Sequence, residues 1–140
     1  MAIYQGRGKW EIKYFRKVAS TIYDPNTLLV QASDDDTAEG AVSTSSSATG
    51  ILGICMRKVR SSDADWADNT RIPVAVPLDS ASEMVCTTAG TLAVTDEGEL
   101  MDLTDSATVN QVGTTNQIVK LKQFVSSTSG IFTLNKKSFV

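Results

Sequence analysis

Residue types that commonly carry out catalysis are scarce in this chain. It contains no histidine, which removes the usual general base near neutral pH and the commonest transition-metal ligand. A serine, threonine or cysteine nucleophile would therefore need a lysine or a terminal amine as its base, and no spacing favours one lysine. Carboxylates that a glycosidase could pair are present at Asp63, Asp65, Asp68, Asp79 and Glu83. Such clusters in β-rich acidic proteins are typical of solvated loops, so we expect the protein not to be an enzyme.

Patterns for metals and phosphates are equally incomplete. Cys55 and Cys86 cannot form a four-cysteine zinc site, and both lie in apolar strand-like runs that predict buried free thiols. A single disulfide between them stays open at this stage. Asp34-Asp35-Asp36 lacks the spaced ligands and distal glutamate of a calcium loop, and Gly6-Arg7-Gly8 lacks the remaining glycine of a phosphate loop. We therefore predict no metal and no cofactor.

Composition favours a β-rich domain. A chain of 140 residues is long enough for one domain with a core and too short for two ordinary ones. Its 15 serines and 16 threonines argue against a helical bundle, because these residues compete with helix hydrogen bonds. Threonine favours strands and serine favours turns. No apolar run approaches the roughly 18–20 residues of a membrane span, so we expect a soluble protein in a reducing compartment, with no membrane partner.

Charge is unevenly distributed along the chain. Residues 1–20 carry five bases and one acid, and every other acid lies between Asp24 and Asp105. The residues after Asp105 include four lysines and no acid. This basic–acidic–basic pattern suggests that the two ends of the chain meet different neighbours from the middle.

Residues 1–20 form the first predicted unit, a basic N-terminal arm, and residues 21–140 form a single β-rich domain. Trp10, Ile12 and Tyr14 alternate as in a strand, although a short helix with Trp10, Tyr14 and Val18 on one face fits almost as well. Interleaved aromatic and basic residues suit a nucleic acid, a partner protein or a plain structural strand. The candidate partner-binding residues are Arg7, Lys9, Trp10, Lys13, Tyr14, Arg16, Lys17 and, from a later loop, Trp66.

Short strands joined by polar turns make up most of the remaining chain. Gly50 to Val59 predicts a central strand with Leu52, Ile54 and Met56 on one face. Residues 72–78 alternate cleanly, but their two prolines, at positions 73 and 77, predict a strand at a sheet edge or a subunit boundary.

Two hairpins are predicted in the last third of the chain. In residues 90–105, Leu92 and Val94 share one face of a strand, Asp96-Glu97-Gly98 forms the turn, and Met101 and Leu103 share one face of the returning strand. Residues 118–125 and 131–134 flank a five-residue loop. No internal repeat is evident. The fold expected is all-β, a compact β-barrel or sandwich-like domain of about seven or eight short strands.

Several stretches together carry a resemblance to a known family. They are Tyr23–Leu29, Ala64–Val74, the hairpin of residues 90–105 with Asp105–Asn110, and Phe124–Phe132. With these patterns the chain resembles the capsid decoration, or cement, proteins of tailed phages over roughly residues 20–140. The resemblance implies a β-barrel-like domain without catalytic residues. It also implies a homotrimer on the exterior of the virion capsid that clamps adjacent major capsid protein subunits of the expanded shell. Residues 1–20 would be its arm, and the host cytoplasm would be its location during assembly.

Two alternatives stay open. One is another all-β virion component, such as a tail-tube, neck or fibre-associated protein. The other is a nucleic-acid-binding β-barrel that uses the basic arm together with Lys120, Lys122, Lys136 and Lys137. The net charge of −3 weighs against direct nucleic-acid contact, because phosphate binding dominates such affinities.

Overall fold

Strands make up almost all of the regular structure. The computed structural model describes residues 2–31, 37–40 and 50–135, so Asp34-Asp35-Asp36, Lys136 and Lys137 lie outside the described residues. A turn of 3-10 helix (Val94–Asp96) accompanies eleven strands within these ranges, and the all-β prediction is confirmed. The strands are β1 (Ile3–Gln5), β2 (Trp10–Lys17), β3 (Leu28–Gln31), β4 (Thr37–Gly40), β5 (Gly53–Cys55), β6 (Arg71–Pro77), β7 (Glu83–Thr88), β8 (Leu100–Asp105), β9 (Thr108–Asn110), β10 (Val119–Ser126) and β11 (Ser129–Leu134).

The strands close into two rings. Strands β2-β4-β3-β5-β6 form a closed barrel, here called the first barrel. The remaining strands follow the order β7-β11-β10-β8-β9, and a parallel pairing of β7 with β9 joins the two ends into a second barrel. β1 precedes the first barrel in the chain but pairs antiparallel with β7, beyond the part of β7 that meets β9.

Both barrels repeat one strand arrangement. In each, the first strand along the chain pairs in parallel with the third. The other pairings are antiparallel and are the same in both barrels when strands are counted in chain order. The third strand pairs with the second, the second with the fourth, the fourth with the fifth, and the fifth with the first. The register matches as well: Lys17–Ala38 corresponds to Thr88–Val109, Leu29–Gly53 to Met101–Val119, and Ile54–Ala75 to Lys120–Thr133. The chain therefore contains a structural repeat that its sequence does not reveal.

The turn that leads into the second strand is repeated too. Asn26 donates its N–H to the carbonyl of Cys55 at 2.9 Å, and Gly98 donates to Leu121 at 2.7 Å. The φ angles of Asn26 and Gly98 are 62° and 91°, a region that asparagine and glycine tolerate best. Asp96-Glu97-Gly98 is thus the counterpart of the turn at Asp24-Pro25-Asn26.

Three strands of the first barrel are buried on both faces. Successive side chains of a strand point to opposite faces. Leu29, Cys55 and Val74 accordingly face the interior of the first barrel, in the smaller of two apolar clusters. Their neighbours Leu28, Val30, Ile54 and Ala75 belong to the larger cluster, with the core residues of the second barrel. This double burial explains the near-continuous apolar runs in β3, β5 and β6. It also corrects one expectation, because Leu52 and Ile54 pack in different clusters and Met56 is exposed.

Residues 1–20 are part of the two sheets, so the expected separate arm is corrected. β1 pairs with β7, and the Ile3 side chain is fully buried in the larger cluster. All residues from Trp10 to Arg16 pair with β6. β2 is a barrel wall, and removing residues 1–18 would open the first barrel rather than leave a folded domain behind.

The proline-containing strand is internal, contrary to the prediction of a sheet edge. β6 pairs with β2 on one side and β5 on the other. The Pro73 carbonyl accepts a hydrogen bond from Met56 N–H at 3.1 Å. A residue in an antiparallel ladder directs its N–H and C=O towards the same neighbour, so the nitrogens of Pro73 and, by alternation, Pro77 face β5. β5 pairs with β6 only at Ala75 and Val74. Pro73 and Pro77, which have no backbone N–H to donate, therefore lie outside the ladder between these two strands.

Only one side of the hairpin predicted at residues 90–105 is a strand. Met101 and Leu103 are buried in β8 as expected. Val94 instead opens the 3-10 turn and is 60% exposed, because the Asp96 carboxylate accepts the N–H of Ala93 at 2.8 Å. A local hydrogen bond of this kind competes with strand pairing. The last hairpin is confirmed, although Ser126 pairs with Ser129 and the loop is shorter than expected.

Both cysteines are buried and free, as predicted. Burial raises the pKa of the Cys86 thiol, and the same effect outweighs a backbone hydrogen bond at Cys55 to raise its pKa. Both thiols are therefore protonated near neutral pH.

The first prediction concerns close packing between β5 and β6. A Cβ placed on Gly53 would lie 2.3 Å from the Ala75 carbonyl oxygen, so we expect Gly53→Ala to destabilise the protein by about 1–3 kcal/mol. Gly40→Ala is the matched control, because nothing lies within 4 Å of the position that its methyl group would take. The free energy of unfolding from urea titration measures both variants. Equal stabilities for the two variants would contradict the close approach.

Candidate binding surface

One outward face of the first barrel collects exposed apolar side chains. Along β2, Phe15 and Lys17 are buried, and by alternation Ile12, Tyr14 and Arg16 point outwards. Ile12 is 45% exposed and Tyr14 is 59% exposed. Large apolar side chains that are exposed together on one face are typical of interaction sites.

The same face continues across β6. Pro73 lies opposite Tyr14, and Met56, which donates its N–H to the Pro73 carbonyl, is 44% exposed. Tyr14, Pro73 and Met56 thus form a row across three neighbouring segments, with Ile12 beside it. We call the exposed residues Ile12, Tyr14 and Met56, together with the half-buried Pro73, the apolar face.

Two arginines lie at one end of the apolar face. Arg16 and Arg71 are cross-strand partners, and both are exposed. Arg71 Nη1 donates to the Tyr14 carbonyl at 3.2 Å, which places a guanidinium next to the tyrosine. The combination of apolar area and arginine suits an acidic protein surface, since aromatic residues, methionine and arginine are enriched at interfaces.

The structure brings some of the predicted residues to this face and separates others. Trp10 points to the same side of β2 as Tyr14 but is half-buried against the larger cluster, with its indole N–H donating to the Arg7 carbonyl at 3.4 Å. Arg7 and Lys9 are exposed in the connection before β2. Lys13 lies on the opposite side of β2, half-buried.

Lys17 is corrected as a contact residue, because its side chain is fully buried. Its Nζ donates to three backbone carbonyls, those of Asp65 at 2.7 Å, Trp66 at 3.2 Å and Asp68 at 2.5 Å. An ammonium group has three donors, and each has an acceptor here. Lys17 therefore holds the loop of residues 60–70 against the end of the first barrel.

A second set of contacts fixes the same loop. Arg57 makes a bidentate pair with the Asp65 carboxylate, at 2.9 and 2.8 Å, and the Thr70 hydroxyl donates to the same carboxylate. Trp66 is half-buried against the smaller cluster. It covers the core from outside, which agrees with one of the interpretations of an aromatic residue in a polar loop.

Hydrogen bonds from Arg57, followed by that from Thr70, hold the pKa of the Asp65 carboxyl well below its usual range. Asp65 stays ionised through the mildly acidic range, and the Arg57–Asp65 pair stays intact with it. A depressed folded-state pKa stabilises the fold above the unfolded-state pKa, and this contribution is lost as pH falls below that value.

Sequence reasoning missed Met56 and Arg71 as members of this surface. The alternation of Trp10, Ile12 and Tyr14 was a sufficient signal for the β2 part of the face. No comparable signal exists for Met56 or Arg71, because their proximity to Tyr14 depends on the pairing of β6 with both β2 and β5.

Within residues 2–31, 37–40 and 50–135, no three His, Cys, Asp or Glu residues are grouped so that they could hold a metal ion. None of the helical segments in these ranges is long and apolar enough to cross a membrane.

No protein-family model matches the chain, and neither does any curated protein sequence.

The second prediction concerns Lys17. Replacing it by methionine keeps the apolar stem but leaves three carbonyls without their donor, so we expect a loss of at least about 2 kcal/mol in unfolding free energy. Lys9→Met is the control, because Lys9 is exposed. With Trp10→Phe as background, Trp66 fluorescence reports on the loop. An unchanged unfolding midpoint and emission maximum in Lys17→Met would contradict the role given to Lys17.

The third prediction concerns the pair that Asp65 forms with Arg57. In the native protein the Asp65 carboxyl carbon should show no titration between pH 7 and pH 3 by ¹³C NMR, because its pKa is lowered. In Arg57→Gln its pKa should rise towards the ordinary aspartate value of about 3.9. Lys58→Gln is the control and should leave the Asp65 titration unchanged. A titration that is the same in all three proteins would refute the pairing.

Proposed function

We propose that the protein is a virion structural protein that binds the outer surface of a phage head. It clamps adjacent major capsid protein subunits and stabilises the expanded shell. The apolar face with its two arginines carries this proposal, because it offers a partner contiguous aromatic, aliphatic and guanidinium groups on a rigid barrel wall. The resemblance to capsid decoration proteins supports the same role.

Local charge favours contact through the apolar face. Its two arginines, Arg16 and Arg71, are exposed cross-strand partners. Over the whole sequence, residues 1–77 carry nine bases and nine acids, whereas residues 78–140 carry four bases and seven acids. The half that contains the apolar face is therefore the less acidic one. An acidic capsid surface complements the two arginines, and complementary charge favours both the rate and the orientation of docking.

Stabilisation of a shell by such a protein follows from mass action. A ligand that binds the assembled, expanded state and not the alternatives shifts the equilibrium towards that state in proportion to its affinity and concentration. Many equivalent sites on one particle multiply a modest contact energy. A chemically inert barrel is sufficient for this role.

The resemblance extends the proposal to a homotrimer at threefold and local threefold positions, on the virion exterior after assembly in the host cytoplasm. In this arrangement Arg7 and Lys9, next to β2, and Trp66, in the loop held by Lys17, are further candidate contacts. A role as a tail, neck or fibre-associated component is the alternative within the virion.

The fourth prediction tests the apolar face. Purified protein is added to heads that lack it, and occupancy and the temperature of genome release are measured. We expect the double variant Ile12→Ser/Tyr14→Ser to bind at least about tenfold more weakly, since exposed aromatic anchors commonly contribute more than 1 kcal/mol each. The release temperature should fall towards that of undecorated heads.

Val112→Ser and Val94→Ser are the matched controls, because these valines are 79% and 60% exposed on the other half of the chain. They should bind heads as the native protein does. Binding of the native protein to tails and not to heads would overturn the proposal in favour of the alternative virion role. Equal losses in the control variants would overturn the assignment of the apolar face.

A further inference from the structure

A hollow of about 440 Å³ lies on the outside of the second barrel. Its wall comprises Ala81, Gly98, Lys120, Leu121, Lys122 and Thr133. Lys120 and Lys122 belong to β10, and both are exposed where they line the hollow.

The duplicated fold shows how this hollow arises. Lys120–Thr133 in the second barrel corresponds to Ile54–Ala75 in the first, where both side chains are at most 1% exposed. There the equivalent face packs into the larger apolar cluster. In the second barrel the equivalent face is open to solvent, with two ammonium groups and a hydroxyl set in a lining that is otherwise apolar.

Two small residues account for the empty space. Glu83 and Ile12 are equivalent positions, because Glu83 pairs with Thr133 and Ile12 pairs with Ala75, its counterpart. Ala81 precedes Glu83 by two residues, and Trp10 precedes Ile12 by two residues. Ala81, in the turn before β7, thus stands at the sequence position that Trp10 holds before Ile12 in the first barrel. Gly98 replaces Asn26 in the repeated turn, and nothing lies within 4 Å of the position its Cβ would take.

The hollow is lined by two lysines from a range that is otherwise rich in acids. Lys120 and Lys122 are the only bases between residues 78 and 135, and the seven acids of this range all precede them in the sequence. The acids are Asp79, Glu83, Asp96, Glu97, Glu99, Asp102 and Asp105.

Local charge points to a single negative charge in the ligand. Lys122 forms an ion pair with Glu83, so two ammonium groups and one carboxylate give the immediate site a net charge of +1. Glu97, next to Gly98, is engaged with the N–H of Phe124 at 2.8 Å. Lys120 is therefore the cation that a ligand can use without displacing the Lys122–Glu83 pair, and the nearby acids disfavour a dianion.

We propose that this hollow binds a carboxylate carried on a short apolar stem. The carboxylate contacts Lys120, and the stem lies against Ala81 and the lysine methylenes. An acidic side chain projecting from a partner protein and a small organic acid share this chemistry. The site is separate from the apolar face, so it does not depend on the function proposed above.

The fifth prediction tests this site by ¹⁵N NMR titration with four probes: glutamate blocked as the N-acetyl amide, the blocked glutamine analogue, butyrate and inorganic phosphate. We expect blocked glutamate and butyrate to shift the amides of the lining residues, with affinities on the order of millimolar. The neutral glutamine analogue should not shift them. Tighter binding of blocked glutamate indicates a protein side chain as the natural ligand, and tighter binding of butyrate indicates a free acid.

Two variants separate charge from shape. Lys120→Gln should weaken binding about tenfold or more, because it removes the charged donor. Ala81→Trp rebuilds the filled arrangement of the first barrel and should abolish binding with both lysines retained. Lys58→Gln on the first barrel is the control. Phosphate binding as tightly as the carboxylates, or shifts insensitive to Lys120→Gln, would overturn the proposal.

Discussion

The double burial of β3, β5 and β6 is the constraint on which the rest of the structure depends. These strands form a wall of the first barrel and also pack against the core of the second, so both of their faces must be apolar. Close approach of β5 and β6 then requires glycine at position 53. One outer side of the first barrel is thus used internally, and the contact surface that we propose lies on the outward side chains of β2, with Pro73 and Met56.

Sequence patterns predicted the all-β class because alternation and turn residues are local properties, visible at Leu28–Val30 or Asp24–Asn26. They failed where the outcome depended on partners distant in the chain. The prolines of β6 indicated an edge, yet the short length of β5 leaves room for them inside the sheet. The basic charge of residues 1–20 suggested an arm. Ile3 in β1 and Phe15 in β2 are instead buried in the two apolar clusters, so both strands are part of the folded domain. Lys17 was predicted to lie at the surface. It is buried because its ammonium group donates to backbone carbonyls of the loop that contains Asp65, which is distant in the sequence.

The repeat escaped detection because matched positions preserve geometry and not residue type. Cys55 corresponds to Leu121 and Val74 to Phe132, so apolar character persists while size changes. Where the two halves have different neighbours, even polarity differs, as between Ile54 and Lys120. Backbone hydrogen bonds specify a barrel without regard to side-chain identity, which lets two sequences diverge within one topology. That divergence is also what distinguishes the apolar face from the lysine-lined hollow.

The position of β1 has a mechanical consequence. The chain passes once from the first barrel to the second between β6 and β7, and β1 makes a second link by joining the segment before β2 to β7. Two units joined by a single connection can rotate relative to each other, whereas two connections at different points restrict that rotation. A load applied to one barrel is therefore transmitted to the other through the ladder of Ile3, Tyr4 and Gln5 as well as through the covalent connection. Together with the apolar cluster that both barrels share, the two links should make the barrels resist shear as one block.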